Sequence, residues 1–124
     1  MLPQRILVVD DEPDVAEIVA VVLRRADFEV HMVHSGRAAL ERLAAEPPYG
    51  LIVCDLVMPE VNGVAIYRAV LQRPEPRPRV LFLSGYHDAG GYEDFLRETG
   101  VPTLGKPFDV NGLRETVARL LSGT

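Results

Sequence analysis

The chain contains a single cysteine, Cys54, so it can build neither a disulfide framework nor a thiolate metal cluster. That scarcity fits a reducing cytosol, and Cys54 is expected to be a small buried hydrophobe. Basic charge is short as well: 13 Lys+Arg stand against 18 Asp+Glu, for a net charge of -5. Phosphate backbones demand a basic footprint, so direct nucleic-acid binding is not expected. Long apolar runs are missing. The amino terminus reads MLPQRILVVDDE, four aliphatic residues and then acids, which makes neither a signal peptide nor a membrane span, and no such segment occurs elsewhere. The chain has no internal repeat, low-complexity segment or linker, so residues 1–124 are expected to form one domain with its own core. Nor does a glycine-rich phosphate loop follow the first apolar run. DDEP would repel a phosphate unless a cation intervened, which disfavours a nucleotide-binding module.

What is present has the proportions of a folded globule, 48% hydrophobic and 25% charged. Apolar runs alternate with amphipathic stretches. Ile6 to Val9 reads as a strand ending in Asp10, Asp11 and Glu12. Pro13 suits the first turn of a helix carrying Val15, Ile18, Val19, Val22 and Leu23 at helical spacing. A second strand lies within Phe28 to Val33. Ser35-Gly36 then offers turn and cap for a helix with Leu40 and Leu43, stopped by Pro47, Pro48 and Gly50. Leu51 to Cys54 is apolar without alternation, as in a central strand buried on both faces of a parallel sheet, and it delivers Asp55 to the strand end. Asn62-Gly63 opens a helix with Val64, Tyr67, Val70 and Leu71 on one side, ended by Pro74, Pro76 and Pro78. Val80 to Leu83 is a fourth strand, terminating at Ser84-Gly85. The pair Gly90-Gly91 delays the next helix to about Tyr92 and leaves a long loop. Val101 to Leu104 makes a fifth strand before Lys106-Pro107, and Asp109 caps a last helix with Val110, Leu113, Val117, Leu120 and Leu121 at core spacing. Tyr67, Phe82 and Phe95 sit at apolar positions and are expected in the core. His31, His34 and His87 lack ligand spacing and read as ordinary surface or half-buried histidines.

Five such strand-helix units predict an α/β, doubly wound three-layer sandwich, because parallel neighbours require right-handed crossovers that place helices on both faces. In open α/β sheets ligands bind outside the carboxyl ends of the strands. There the first strand supplies Asp10 and Asp11, the third Asp55, the fourth Ser84 and the fifth Lys106. Clustered carboxylates repel one another, and the conflict is resolved by a bound divalent cation or by raised pKa values. Oxygen ligands favour Mg²⁺, which keeps several waters and leaves room for phosphoryl oxygens. A lysine adds a compact positive charge, and a hydroxyl adds a hydrogen bond. Together they describe phosphoryl transfer, in which Asp55 attacks phosphorus to form an acyl phosphate. Asp10 reads equally as a direct ligand or as an acid behind the ligands.

At this point the sequence resembles the receiver domains of two-component response regulators, which have the chemotaxis-regulator, flavodoxin-like fold. ILVVDDE is similar to that family's first strand and acidic pair, and LIVCDLVMPEVNG to its phosphoacceptor strand and loop. LFLSG matches its hydroxyl strand and LGKPF its lysine loop, so the likeness runs through essentially the whole chain. The resemblance implies a five-stranded parallel sheet of order 2-1-3-4-5 with five helices. It implies Asp55 as phosphoacceptor and metal ligand, Asp10 and Asp11 at the Mg²⁺ site with Asp11 the more direct, and the backbone carbonyl of Val57 as a further ligand. Lys106 would pair with a phosphoryl oxygen, Ser84 would close on the group when it arrives, Gly85 would leave it room, and Lys106-Pro107 would be cis. The implied partners are a histidine kinase or histidine phosphotransfer domain upstream and an unidentified downstream protein. The protein would be cytoplasmic, a monomer or weak dimer, and a signalling receiver in a phosphorelay rather than an enzyme on other substrates.

The sequence departs from the family in one respect that bears on signalling. An aromatic residue is common three positions before the lysine, and here that position is Thr103. Transmission would then fall to the Ser84–Gly91 loop, the short helix after it, or another surface. Val57 and Tyr86 flank the site and would hinder a hydrolytic water, which favours a long-lived phosphoryl group. The chain stops at Thr124 with no output module in view. RETGVPTLGKPF is similar to the ending of receivers in hybrid sensor kinases, so that origin is favoured over a stand-alone receiver. A haloacid-dehalogenase-type phosphatase would need a second Asp two residues after the nucleophile, where Val57 stands. A degenerate receiver that only binds partners would not need Asp10, Asp11, Asp55, Ser84 and Lys106 together.

Overall fold

A computed structural model describes residues 4–44, 48–85 and 91–122. Ten elements alternate along the chain: β1 (Arg5–Val9), α1 (Pro13–Arg25), β2 (Glu29–Val33), α2 (Gly36–Arg42), β3 (Leu51–Asp55), α3 (Gly63–Leu71), β4 (Arg79–Gly85), α4 (Glu93–Thr99), β5 (Thr103–Lys106) and α5 (Val110–Ser122). The strands form one sheet in the order β2-β1-β3-β4-β5, every pair parallel, as the strand-helix alternation and the family likeness imply.

Successive side chains of a strand point to opposite faces, and both faces of the inner strands are covered. Ile6, Val8, Leu51, Val53, Leu81 and Leu83 pack against α1 and α5 through Ala16, Val19, Leu23, Leu113 and Val117. Leu7, Val9, Ile52, Cys54, Val80 and Phe82 face α2 and α3 through Ala39, Ile66 and Val70. This double burial is why LVV and LIVC carry no polar alternation. Cys54 is buried, as expected, and burial holds its thiol well above the usual range, with Asp55 and Asp10 adding to the effect.

Local signals place the helix starts. Pro13 occupies the first turn of α1, Ser35 caps α2 by accepting from Ala38 N–H at 3.1 Å, and Asn62 caps α3 by accepting from Ala65 N–H at 3.0 Å. Asp109 accepts from Gly112 N–H at the start of α5. α4 begins after Tyr92 and ends at Gly100, whose φ of 67° lies in the left-handed region that favours glycine. Lys106-Pro107 is cis, as is Glu75-Pro76.

Several expectations need correction. β5 starts at Thr103 rather than Val101 and includes Lys106; Val101 is instead a buried core residue of the irregular segment before it. Ile18, Leu71 and Val110 are 55%, 46% and 47% exposed, although their spacing put them on core stripes. Ala16 and Ala20 share the inward face of α1 with Val19 and Leu23, and Ile66 takes the inward position on α3 beside Val70. α2 ends at Arg42, before the prolines, and Pro47 lies outside the described residues, as do Tyr86 and His87.

Candidate functional site

The carboxyl ends of β1, β3, β4 and β5 bring together the residues singled out from the sequence. Asp10 follows β1 directly, Asp55 is the last residue of β3, Ser84 is next to last in β4 and Lys106 ends β5. Register explains the convergence. Val9 pairs with Cys54, Asp55 with Leu83, Ser84 with Gly105 and Gly85 with Lys106, so the four strands terminate at nearly one level. Asp10, Asp55 and Ser84 are the buried polar residues at this edge, while Asp11 stands exposed above them.

Lys106 organises the charges. Its Nζ donates to Asp10 Oδ2 at 3.2 Å, and lies 3.5 Å from Asp55 Oδ2 and 4.0 Å from Glu12 Oε1. Burial works to lower the pKa of Lys106, but the charges of Asp55 and Asp10 outweigh it and hold the ammonium above its usual range. Asp10 is fully engaged. Its Oδ1 accepts from Glu12 N–H at 2.9 Å, and its own N–H donates to Val33 O at 3.2 Å. His34 Nδ1 lies 3.2 Å from the Asp10 carbonyl oxygen, an acceptor only, so the ring donates from Nδ1.

Asp55 is under-partnered. Its Oδ1 is buried and has no hydrogen-bond partner. Burial, with the charges of Asp10 and Asp11, pushes its carboxyl up to about 6 against the pull of Lys106. One carboxylate oxygen each from Asp10, Asp11 and Asp55 lie within 4.8 Å of one another. An orphaned buried oxygen inside an all-oxygen donor set fits a hard divalent cation, which would satisfy Oδ1 and offset the crowding.

Ser84 is 5% exposed and its Oγ donates to Gly85 O at 3.2 Å, a weak local bond that leaves the hydroxyl able to turn toward an incoming acceptor. Val57 is half-exposed on the loop after Asp55. Thr103 bonds the carbonyl of Val101 from an exposed position in β5, apart from the carboxylates. His31 belongs elsewhere, with Tyr49 at 2.8 Å and Glu29 at 3.1 Å.

The sequence reading passed over two contributors, Glu12 and His34, which hold Asp10 by its side chain and its carbonyl. Only the approach of β2 to β1 reveals the second. One compositional signal was available: Lys106 is the only lysine among the 13 Lys+Arg residues. Every other fixed cation of the chain is an arginine, and the compact ammonium stands where two buried carboxylates meet.

The family description "Response regulator receiver domain" matches residues 6–118. The response regulator receiver protein CpdR of Brucella abortus is 28% identical over 118 residues, covering 95% of this chain and 97% of that one. The response regulator protein PilR of Pseudomonas aeruginosa is 31% identical over 121 residues, and the chain spans 27% of its length. A CheY-like response regulator receiver domain protein from Methanospirillum hungatei superposes with a TM-score of 0.82 at 25% identity, over 96% of this chain and 94% of that one.

Proposed function

We propose, from the premise that this chain belongs to the response regulator receiver domain family, that Asp55 accepts a phosphoryl group from a phosphohistidine of a kinase or phosphotransfer protein. Asp10, Asp11, Asp55 and the Val57 carbonyl would hold a Mg²⁺ ion, which supplies charge neutralisation for the phosphoryl oxygens. A carboxylate oxygen of Asp55 attacks phosphorus, the P–N bond breaks, and the imidazole leaves with a proton from solvent. Lys106, held between Asp10 and Asp55, follows the developing negative charge with little reorganisation. Ser84 Oγ exchanges its weak bond to Gly85 O for one to a phosphoryl oxygen. The product is an acyl phosphate on the protein, so the chain acts on itself, and the modification switches its interactions with a downstream partner rather than turning over a substrate. Among the described residues no helix is long and apolar enough to cross a membrane, in keeping with a cytoplasmic reading.

One observation carries this reading: Asp55 presents a buried, unpartnered oxygen beside a lysine ammonium at the edge of the sheet. The test is intact-protein mass after incubation with Mg²⁺ and acetyl phosphate. A gain of one phosphoryl group, absent in Asp55→Asn, is expected. No gain under conditions where Mg²⁺ binding is separately confirmed would turn the reading toward an interaction module that works without phosphorylation.

A further inference from the structure

Positive charge is concentrated in one stretch of this acidic chain. Residues 68–79, RAVLQRPEPRPR, carry four arginines against one acid, Glu75, for a net charge of +3 within a chain of -5. The stretch comprises the last turn of α3, the loop after it and the first residue of β4.

Its one acid is taken up inside the loop. Arg77 Nη1 donates to the carbonyl oxygens of Leu71 at 3.3 Å and Arg73 at 3.2 Å, and its Nη2 lies 3.5 Å from Glu75 Oε1. Arg77 thus closes the carboxyl end of α3 and matches the charge of Glu75. The guanidinium groups of Arg68, Arg73 and Arg79 have no hydrogen-bond or ion-pair partner among the described residues, whereas Arg5, Arg37 and Arg97 are each matched to an acid. Arg68 and Arg79 are exposed and Arg73 is half-buried.

The loop that carries these charges is stiff. Pro74, Pro76 and Pro78 each fix their own φ and lack an N–H, so the loop has little freedom to lose on binding and cannot pair a partner's backbone at those positions. Apolar surface lies beside the charges. Leu71 is exposed on the same turn as Arg68, and a cavity of about 230 Å³ opens between Leu43, Pro48, Pro78 and residues 73–76. Arg79 borders a second cavity, of about 210 Å³, with Tyr67 and Pro102. Free guanidinium groups next to apolar clefts suit carboxylates flanked by apolar side chains. A nucleic acid suits them poorly, because three cations make a small footprint and the net charge of the chain repels a polyanion. The stretch lies at the opposite end of β4 from Ser84, about 17 Å away at the ordinary rise of a strand, so a partner seated there leaves the carboxylate edge open.

We propose that residues 68–79 form a docking surface for an acidic segment of a partner protein, whose carboxylates pair with Arg68, Arg73 and Arg79 while its apolar side chains enter the adjoining clefts.

The experiment is fluorescence anisotropy of a labelled peptide of repeated Glu-Glu-Leu triplets, titrated with the whole chain. Binding is expected at about 50 mM salt and should be lost at about 500 mM, where exposed charges are screened. Arg73→Glu and Arg79→Glu should each weaken it by about three- to tenfold. Arg79→Gln, which removes the charge without reversing it and leaves the fold unchallenged, should fall between wild type and Arg79→Glu. Arg25→Glu makes the same change of net charge at an exposed position of α1, on the opposite face of the sheet, and should alter affinity by less than about twofold. Absence of peptide binding at low salt would overturn the proposal, as would equal weakening by Arg25→Glu. Tighter binding of a labelled oligothymidine through the same arginines would overturn it in favour of nucleic acid. Self-association in sedimentation that Arg79→Glu abolishes would overturn it in favour of a second copy of this chain.

Discussion

At the scale of single residues, the candidate site holds an electrostatic conflict at Asp55. A carboxyl held at about 6 against an ordinary 3.8 is neutral in both folded and unfolded chains below about pH 4. Between the two values the unfolded chain gives up its proton while the folded protein keeps it. Above about pH 6 the folded state carries a charge its surroundings disfavour. Wild-type stability in metal-free buffer should therefore fall from pH 4 to pH 6 on this account. Asp55→Asn, which has no charge to bury, should escape the loss and leave Lys106 its bond to Asp10. The variant is expected to be more stable at pH 7.5 by about 1–3 kcal/mol, the upper figure being the whole shift, and to lose that margin at pH 4. Urea unfolding at both pH values measures it. A variant less stable than wild type at pH 7.5 would mean that the Lys106 attraction outweighs desolvation.

At the scale of elements, close backbone approaches at Gly36 and Gly63 set how α2 and α3 meet the loop after Asp55. Gly36, in the first turn of α2, leaves no room for a side chain: a Cβ would stand 2.2 Å from the Val61 carbonyl oxygen and 2.6 Å from Val61 Cβ. Gly36→Ala must push α2 away from the loop that carries Val57 and Asn62, and it should cost about 1–3 kcal/mol by chemical denaturation. Gly105→Ala is the control, since a Cβ in that position of β5 meets nothing within 4 Å, and it should change stability by no more than about 0.5 kcal/mol. Equal effects from the two would show that the α2 contact yields without cost. α4 lies at the opposite extreme: none of its residues is buried, and Phe95 and Leu96 pack only partly against the core.

At the scale of the whole molecule, one sheet with both faces covered serves as a rigid frame, and the crowded acids at its edge are what remain to be satisfied. A ligand that binds only the folded state raises its stability by about 2.7 kcal/mol at a hundred times its dissociation constant. Saturating Mg²⁺ should accordingly raise the melting temperature by several degrees, and the rise should shrink in Asp11→Asn and Asp55→Asn. An unmoved wild-type midpoint at millimolar Mg²⁺ would rule out the metal site. The strands and the residues Asp10, Asp55, Ser84 and Lys106 at their ends were legible in the sequence, because a strand buried on both faces must be apolar throughout and its polar successor marks where it emerges; the strand order came from the family resemblance alone. The faces of the helices were not. Ile18, Leu71 and Val110 fit helical spacing as well as Ala16 and Ile66 do, and only the distance of each helix from the sheet decides which side turns inward. The start of β5 was equally hidden, since Val101 is as apolar in a buried irregular segment as in a strand. By itself the sequence determined which residues could do chemistry and at which strand ends they would lie, since period-two burial and chain direction are local properties. Tertiary structure alone decided that Asp10 is tied down by His34 and Lys106 while Asp55 keeps an unpartnered oxygen, and that Phe95 of α4 rests on Tyr67 and Phe82. Those contacts join positions up to 96 residues apart, and no local pattern encodes them.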